Sequence, residues 1–388
     1  MHRDALGSLG LIAGAAIVGT FGWSGEVLFL PLALLFPLLW SRAPARTVAA
    51  MIAAAYFLAA SRGLPVGVVN FYGSGEACGY LLWVIAAAGF VLVHTVCWSW
   101  RSGAPRAAGY AIASIFMILP PFGVVGWAHP LTAAGVLFPG WGWAGLLATA
   151  TGMLALATRR WPIAVIALGG FWVWSVACWA PPPLPEGWAG ADTPLGQSMG
   201  RGFDLEQQRL LVRAVLEKAT LGTRIVVLPE SALGFWTPTV ERYWRTALQG
   251  SDVTVLAGAS VVDSDGYDNV MVSMNRNGGS PIYRERMPVP VSMWQPWLAW
   301  TGRSGGARAN FFANPIVDAA GSRAAPLICY EQLITWPILQ SMLHAPDVII
   351  ATGNGWWTTG TSIVPIQRAS AFAWASLFKT PVVFAFNT

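Results

Sequence analysis

The sequence predicts a two-part chain: a bundle of membrane-spanning helices in the first half and an α/β layered domain in the second. Three observations carry this reading. Hydrophobic residues make up 55% of the 388 residues and charged residues only 11%, against roughly 25% charged in ordinary soluble domains. The charge is also unevenly spread, with 11 acidic or basic side chains up to Pro181 and 30 beyond it. The apolar runs are long in the first half, whereas those of the second are short and separated by Ser, Asp and Gly.

A bilayer core about 30 Å thick calls for helices of roughly 17 to 25 apolar residues. Candidate spans cover 6–23, 27–40, 47–60, 79–100, 107–127, 131–157 and 161–179, a bundle of about seven within residues 1–180. A removable signal peptide is the competing reading of the first run. The six further runs and the lack of a small-residue cleavage site speak against it. Alternate connections hold Arg3; Arg42 and Arg46; Arg101 and Arg106; Arg159 and Arg160. The opposite set holds Arg62 alone, beside Glu26 and Glu76. Because arginine accumulates in cytoplasmic loops, the N-terminus is expected inside and everything after residue 180 outside, in a bacterial periplasm.

Residues 181–200 (PPPLPEGWAGADTPLGQSMG) are rich in Pro and Gly and read as a linker. In 201–388, helices are expected over 203–220, 240–248, 334–343 and 366–378. Strands are expected over 223–228, 253–262, 269–275, 316–317, 324–328, 348–351 and 381–386. Strands alternating with helices define an α/β layered domain.

The net charge of +5 comes from singly scattered arginines rather than a basic run interleaved with aromatics, which argues against direct nucleic-acid binding. Cys78, Cys97 and Cys178 lie in or beside apolar runs and read as small apolar residues. With no CxxC or Cys/His spacing, neither a metal site nor a cofactor is expected. Cys329 stands alone in the polar half.

Three places could carry chemistry, each where a polar residue follows a buried strand. In IVVLPES (225–231), Pro229 stops the strand and lifts Glu230 to the rim of an apolar sheet. Desolvation there would raise its pKa and suit it to general-base work; the bland alternative is a surface Glu in a turn. In PLICYE (326–331), Cys329 ends a strand just ahead of a helix whose exposed N–H groups favour a thiolate. The alternative is a structural cysteine. The loop ATGNGWWTT (351–359) lines a pocket or is a Trp-packed turn, with the turn favoured.

In this order, LPES, ICYE and GNGWW resemble the strand-Glu, nucleophile and Asn-x-x-Trp motifs of apolipoprotein N-acyltransferases, the membrane branch of the nitrilase (carbon–nitrogen hydrolase) superfamily. The tail VPIQRASAFAWASLFKTPVVFAFNT resembles that family's long helix and strand. Within the branch, the chain looks most like its plasmid conjugal transfer members. The resemblance covers nearly the whole chain and implies an αββα sandwich for the second half. It also implies Glu230 as base and Cys329 as nucleophile, attacking a phospholipid ester to give a thioester. An amine, such as the N-terminus of a lipoprotein, would then receive the acyl group. Glu331, Asn354 and Trp357 would line the substrate pocket.

The family's third catalytic residue, a lysine for the oxyanion, is not where it should be. The family pattern Tyr-x-Lys-x-x-Leu-Val-Pro-Phe-Gly-Glu aligns with Tyr283 through Met293, which places Glu285 at the lysine position and Met293 at the second Glu. The chain has only Lys218 and Lys379, both far from this motif. Arg284 or Arg286 are the candidate replacements, although an arginine differs in reach and cannot shuttle protons. The chain ends at Thr388, where the family continues into further strands and another membrane helix. The domain is therefore expected either shortened or closed differently. Two functions follow: a Cys-dependent membrane acyltransferase, or a catalytically impaired relative serving the conjugation machinery as an assembly factor. A transporter would call for charges at span centres, and none is seen there.

Overall fold

The computed structural model describes residues 2–73, 75–199, 204–220 and 222–388. Gly200 to Phe203, which include the end of the expected linker and the start of the first helix after it, lie outside the described residues. The chain divides into two compact units that do not follow the sequence order strictly. The first takes residues up to Pro182 together with Leu333–Trp336 and Gly360–Lys379. The second takes Pro183–Gln332, Pro337–Thr359 and Thr380–Thr388.

The first unit is helical, but its helices are not seven unbroken spans. Two described helices, within His2–Gly22 and over Glu76–Cys97, are apolar and long enough to cross a bilayer alone. Arg46–Ala60 and Leu64–Tyr72 qualify only as a pair bent by 52°. The run expected over 107–127 is helical only to Ile118, because Pro120 and Pro121 follow and neither has an N–H to donate. The run over 131–157 is broken after Leu137, where Gly140 and Gly142 adopt positive φ, and resumes as Gly142–Leu156. A 15-residue helix rises about 22 Å, short of the bilayer core. Ile163, Ile166, Val173 and Trp174 on Trp161–Ala177 are each more than two-thirds exposed, an outward apolar face of the kind lipid covers.

Arginines tie three loops into one end of this unit. Arg46 donates to the Trp98 carbonyl, Arg106 to the carbonyls of Ser41 and Ser99, and the Arg42 guanidinium lies 4.3 Å from the Trp161 ring. Arg62 instead donates to the Trp23 carbonyl. The helix Ile363–Phe378, from the far end of the sequence, also belongs to this unit. Its Ala-rich face is almost fully buried, and the Ala373 backbone lies so close to Gly135 that a Cβ there would sit 1.7 Å from the Ala373 carbonyl oxygen. Small residues are what permit such an approach.

The second unit is built on two sheets. Strands β1 (Trp188–Gly190), β2 (Ile225–Val227), β3 (Thr254–Asp263), β4 (Gly266–Asn275) and β5 (Gly278–Arg284) form the first in that order. Strands β6 (Val317–Ala319), β7 (Ser322–Ile328), β8 (Val348–Asn354) and β9 (Val382–Asn387) form the second. Strands β1 to β3 run parallel, as do β7 to β9. The short β1 lies inside the stretch expected as a linker, and β5 was hidden by its glycines and Pro281. The sheets share an apolar core: Val227, Leu256 and Met271 from one, Ile328, Ile350 and Val383 from the other. The opposite face of the first sheet packs its Val226, Val255 and Val272 against Leu211 and Val215 of Leu205–Thr220 and Val240 and Trp244 of Pro238–Ala247. The expected alternation of strands and helices is thus present, as a double-sheet sandwich.

Candidate active site

Glu230 lies just beyond the end of β2 and Cys329 directly follows β7, two strands that both contribute to the shared core. Local backbone aims them. Ser231, next to Glu230, and Cys329 itself have φ of +63° and +44°, a region non-glycine residues occupy mostly where surrounding structure holds them. Gly258 on β3 makes the first turn possible: a Cβ there would lie 2.5 Å from the Glu230 Cα and the Ser231 nitrogen.

The two side chains meet. The Cys329 thiol donates to the Glu230 carboxylate, and both residues are almost fully buried. Two further donors reach the same carboxylate: the Asn269 amide to Oε1 at 2.8 Å and the Asn354 backbone N–H to Oε2 at 3.0 Å. Burial pushes the Glu230 carboxyl above the ordinary range, and these donors pull it back part of the way. A carboxylate partly deprived of water but fixed by donors is suited to taking a thiol proton near neutral pH.

Glu285, at the position of the family lysine, comes to this cluster. The Asn269 amide nitrogen that holds Glu230 also donates to Glu285 Oε2 at 2.8 Å, so one amide bridges two carboxyl groups. Glu285 is completely buried, and its Oε1 has no hydrogen-bond partner. Burial and the charges of Glu230 and Glu331 push it well above the usual carboxylate range.

Neither candidate arginine is brought to the pair. Arg284 is half exposed and binds Asp268 at 2.6 Å. Arg286 is fully buried but committed elsewhere: Nε to the Tyr283 hydroxyl, and its other nitrogens to the carbonyls of Pro337 and Pro326, Gln340 and Ser341. It also pairs with Glu331 at 3.5 Å. Glu331 in turn accepts from the Tyr283 hydroxyl and from the backbone N–H of Arg286 and Ile328. Both its oxygens are engaged within the fold, so Glu331 clasps the strand end bearing Cys329 rather than presenting a free carboxylate to a pocket. Asn354 serves the cluster through its backbone, while its side-chain oxygen accepts from Asn387. Trp357 lies half-buried in the short turn Trp356–Thr358.

Asn269 is the residue sequence reasoning missed. Its signal was available, since Asn is poorly suited to a strand interior and here sits in the middle of β4. Among the described residues, no group of three or more His, Cys, Asp or Glu is arranged to hold a metal.

A thiol hydrogen-bonded to a buried glutamate at the strand ends of a double-sheet sandwich defines a class, and comparison with known proteins agrees: residues 58–376 match the carbon–nitrogen hydrolase family, to which the chain belongs. Within that class, two similar relatives are conjugal transfer proteins. The chain is 57% identical to the probable conjugal transfer protein TraB of Sinorhizobium fredii, with all of both chains covered. It is 58% identical to the conjugal transfer protein TraB of Agrobacterium fabrum, over 97% of this chain and 92% of that one. A more distant relative, the apolipoprotein N-acyltransferase of Verminephrobacter eiseniae, is 25% identical over all of this chain and 74% of its own length. The expected branch of the superfamily is therefore the right one.

Proposed function

We propose that the chain is a multi-pass bacterial inner-membrane acyltransferase working through Cys329, with its sandwich domain in the periplasm and its task in plasmid conjugal transfer. The observation that carries the chemistry is the Cys329 thiol donating to the buried Glu230 carboxylate. In the reaction, Glu230 takes the thiol proton as sulfur adds to the carbonyl of an acyl ester, for which a phospholipid is the donor. The tetrahedral adduct collapses, Glu230 returns the proton to the departing alcohol, and a thioester remains on Cys329. An amine, such as the N-terminus of a lipoprotein, then attacks the thioester, Glu230 takes its proton, and amide and free thiol are released. The arginine loops gathered at one end of the helical unit support the inside-facing assignment of that end.

The test is acyl-enzyme formation. Purified full-length protein in detergent is mixed with vesicles of phosphatidylethanolamine and phosphatidylglycerol, and the Cys329 peptide is weighed by mass spectrometry. An acyl adduct in the wild type that is absent in Cys329→Ala and strongly reduced in Glu230→Gln is expected. No adduct from either lipid would sink the reading. Glu285 in place of lysine favours a second reading, a catalytically silent assembly factor for conjugation. On that reading, Cys329→Ala and Glu230→Gln would leave plasmid transfer frequency unchanged.

A further inference from the structure

Among the described residues, no cation is free to meet an oxyanion at this site, and the buried charges around it are mostly carboxyl groups. Three carboxyl groups are buried within reach of one another, Glu230, Glu285 and Glu331, and the one buried guanidinium among them, Arg286, is paired with Glu331. Glu230 and Glu285 are left with donors but no counter-ion. Two bare carboxylates sharing a single amide in a dry site would repel each other strongly, so one of them keeps its proton. Glu230 receives three donors, the Asn269 amide, the Asn354 N–H and the Cys329 thiol, which stabilise its ionised form. The Glu285 carboxyl receives one, from Asn269, and its Oε1 is buried with no partner. The proton therefore resides on Glu285.

We propose that Glu285 acts as a neutral carboxylic acid whose O–H, carried on the unpartnered Oε1, hydrogen-bonds the oxyanion that forms when Cys329 adds to an acyl carbonyl. This rests on the acyl-transfer reading above and assigns a catalytic role to the residue that stands where the family has its lysine. The step needs no other reagent. Sulfur bonds to carbon, the carbonyl π pair moves to oxygen, and the thiol proton passes to Glu230. Glu285 lends a hydrogen bond without giving up its proton, and the bond relaxes when the adduct collapses. A protonated carboxyl in an apolar site is an effective donor of this kind.

The test separates thiol reactivity from oxyanion stabilisation in the full-length protein in detergent. Alkylation of Cys329 by iodoacetamide needs the thiol and its base but forms no oxyanion. Acylation by p-nitrophenyl butyrate needs all three, and both are read at the Cys329 peptide. Glu285→Ala should slow acylation on the order of 10²- to 10³-fold while leaving alkylation near the wild-type rate. Glu285→Gln, which keeps a donor of similar shape, should recover much of the acylation. Wild-type acylation should fall at alkaline pH as Glu285 ionises, and Glu285→Gln should not show this fall. The other titrating groups that act on Glu285 are Glu230, Tyr267 and Glu331 with its partner Arg286; Tyr267→Phe, which removes the phenol that interacts with both Glu285 and Glu230, should keep the fall. Equal loss of acylation and alkylation in Glu285→Ala, acylation unchanged in that variant, or an alkaline fall persisting in Glu285→Gln would each overturn the proposal while leaving the acyl-transfer reading intact. A wild type never acylated by the ester would overturn both.

Discussion

Asn269 is the hinge of the electrostatics, because one amide nitrogen holds two buried carboxyl groups at 2.8 Å each. Asn269→Leu keeps the volume and removes both bonds. It leaves the backbone link in which the Asn269 carbonyl accepts from the Glu285 N–H. A hydrogen bond to an ionised group contributes about 1.5–3 kcal/mol, and one pKa unit corresponds to about 1.36 kcal/mol. The Glu230 carboxylate thus loses a donor of that strength, and its pKa, already raised by burial, climbs further. A base with a higher pKa is protonated over more of the neutral range, so Cys329 should become reactive only at higher pH. The assay is the pH profile of iodoacetamide alkylation at the Cys329 peptide, wild type against variant. The midpoint should move in the alkaline direction. A midpoint that stays in place, or moves towards acid, would show that Asn269 does not stabilise the charged base and would undo the argument.

The remaining predictions concern stability. Glu285 is held protonated in the fold but ionises above its ordinary value of 4.5 when the chain unfolds, so folding stability falls as pH rises above that value, by up to about 1.4 kcal/mol per unit; Glu285→Gln should therefore raise the melting temperature more at alkaline than at acid pH. Arg286→Met strips Glu331 of its buried partner and should cost about 3–5 kcal/mol, whereas Arg284→Ala breaks a half-exposed pair and should cost under about 1 kcal/mol; thermal unfolding in detergent distinguishes them. Gly135→Ala should destabilise by about 1–3 kcal/mol or more, since the added methyl meets the Ala373 carbonyl. Gly169→Ala, in open space on Trp161–Ala177, should be neutral or stabilising by up to about 1 kcal/mol.

The parts legible in the sequence were those with a local physical signature. Pro229 ending a β-branched run fixes Glu230 at a strand tip, and the small-residue strand leading to Cys329 does the same for the thiol. What stayed hidden depended on partners distant in the chain. Nothing local to Arg286 shows that it is spent on Tyr283, Glu331 and the carbonyls of Pro326 and Pro337, so its charge looked free. Asn269 is conspicuous as a polar residue in a strand, but what it holds is not legible locally, because its two carboxyl partners lie 39 and 16 positions away. The broken helices escape a composition-based reading for a different, local reason: apolar composition continues across Pro120–Pro121 and Gly140–Gly142, while helical hydrogen bonding does not.

The helix Ile363–Phe378 links β8 to β9, two neighbouring parallel strands of the second unit, yet it is packed as a member of the first. A crossover helix is normally the property of the sheet it serves. Here the sequence leaves one unit, completes the other, and returns. No cut at a single peptide bond yields two pieces that each keep all their own elements, so expressing the hydrophilic half alone would keep the crossover helix but strip it of the first-unit residues, such as Gly135, that it packs against. The same arrangement limits how such a gene diversifies: exchanging one half with a relative by a single recombination would separate Gly135 from the helix it evolved to fit, and the two regions are expected to be inherited together.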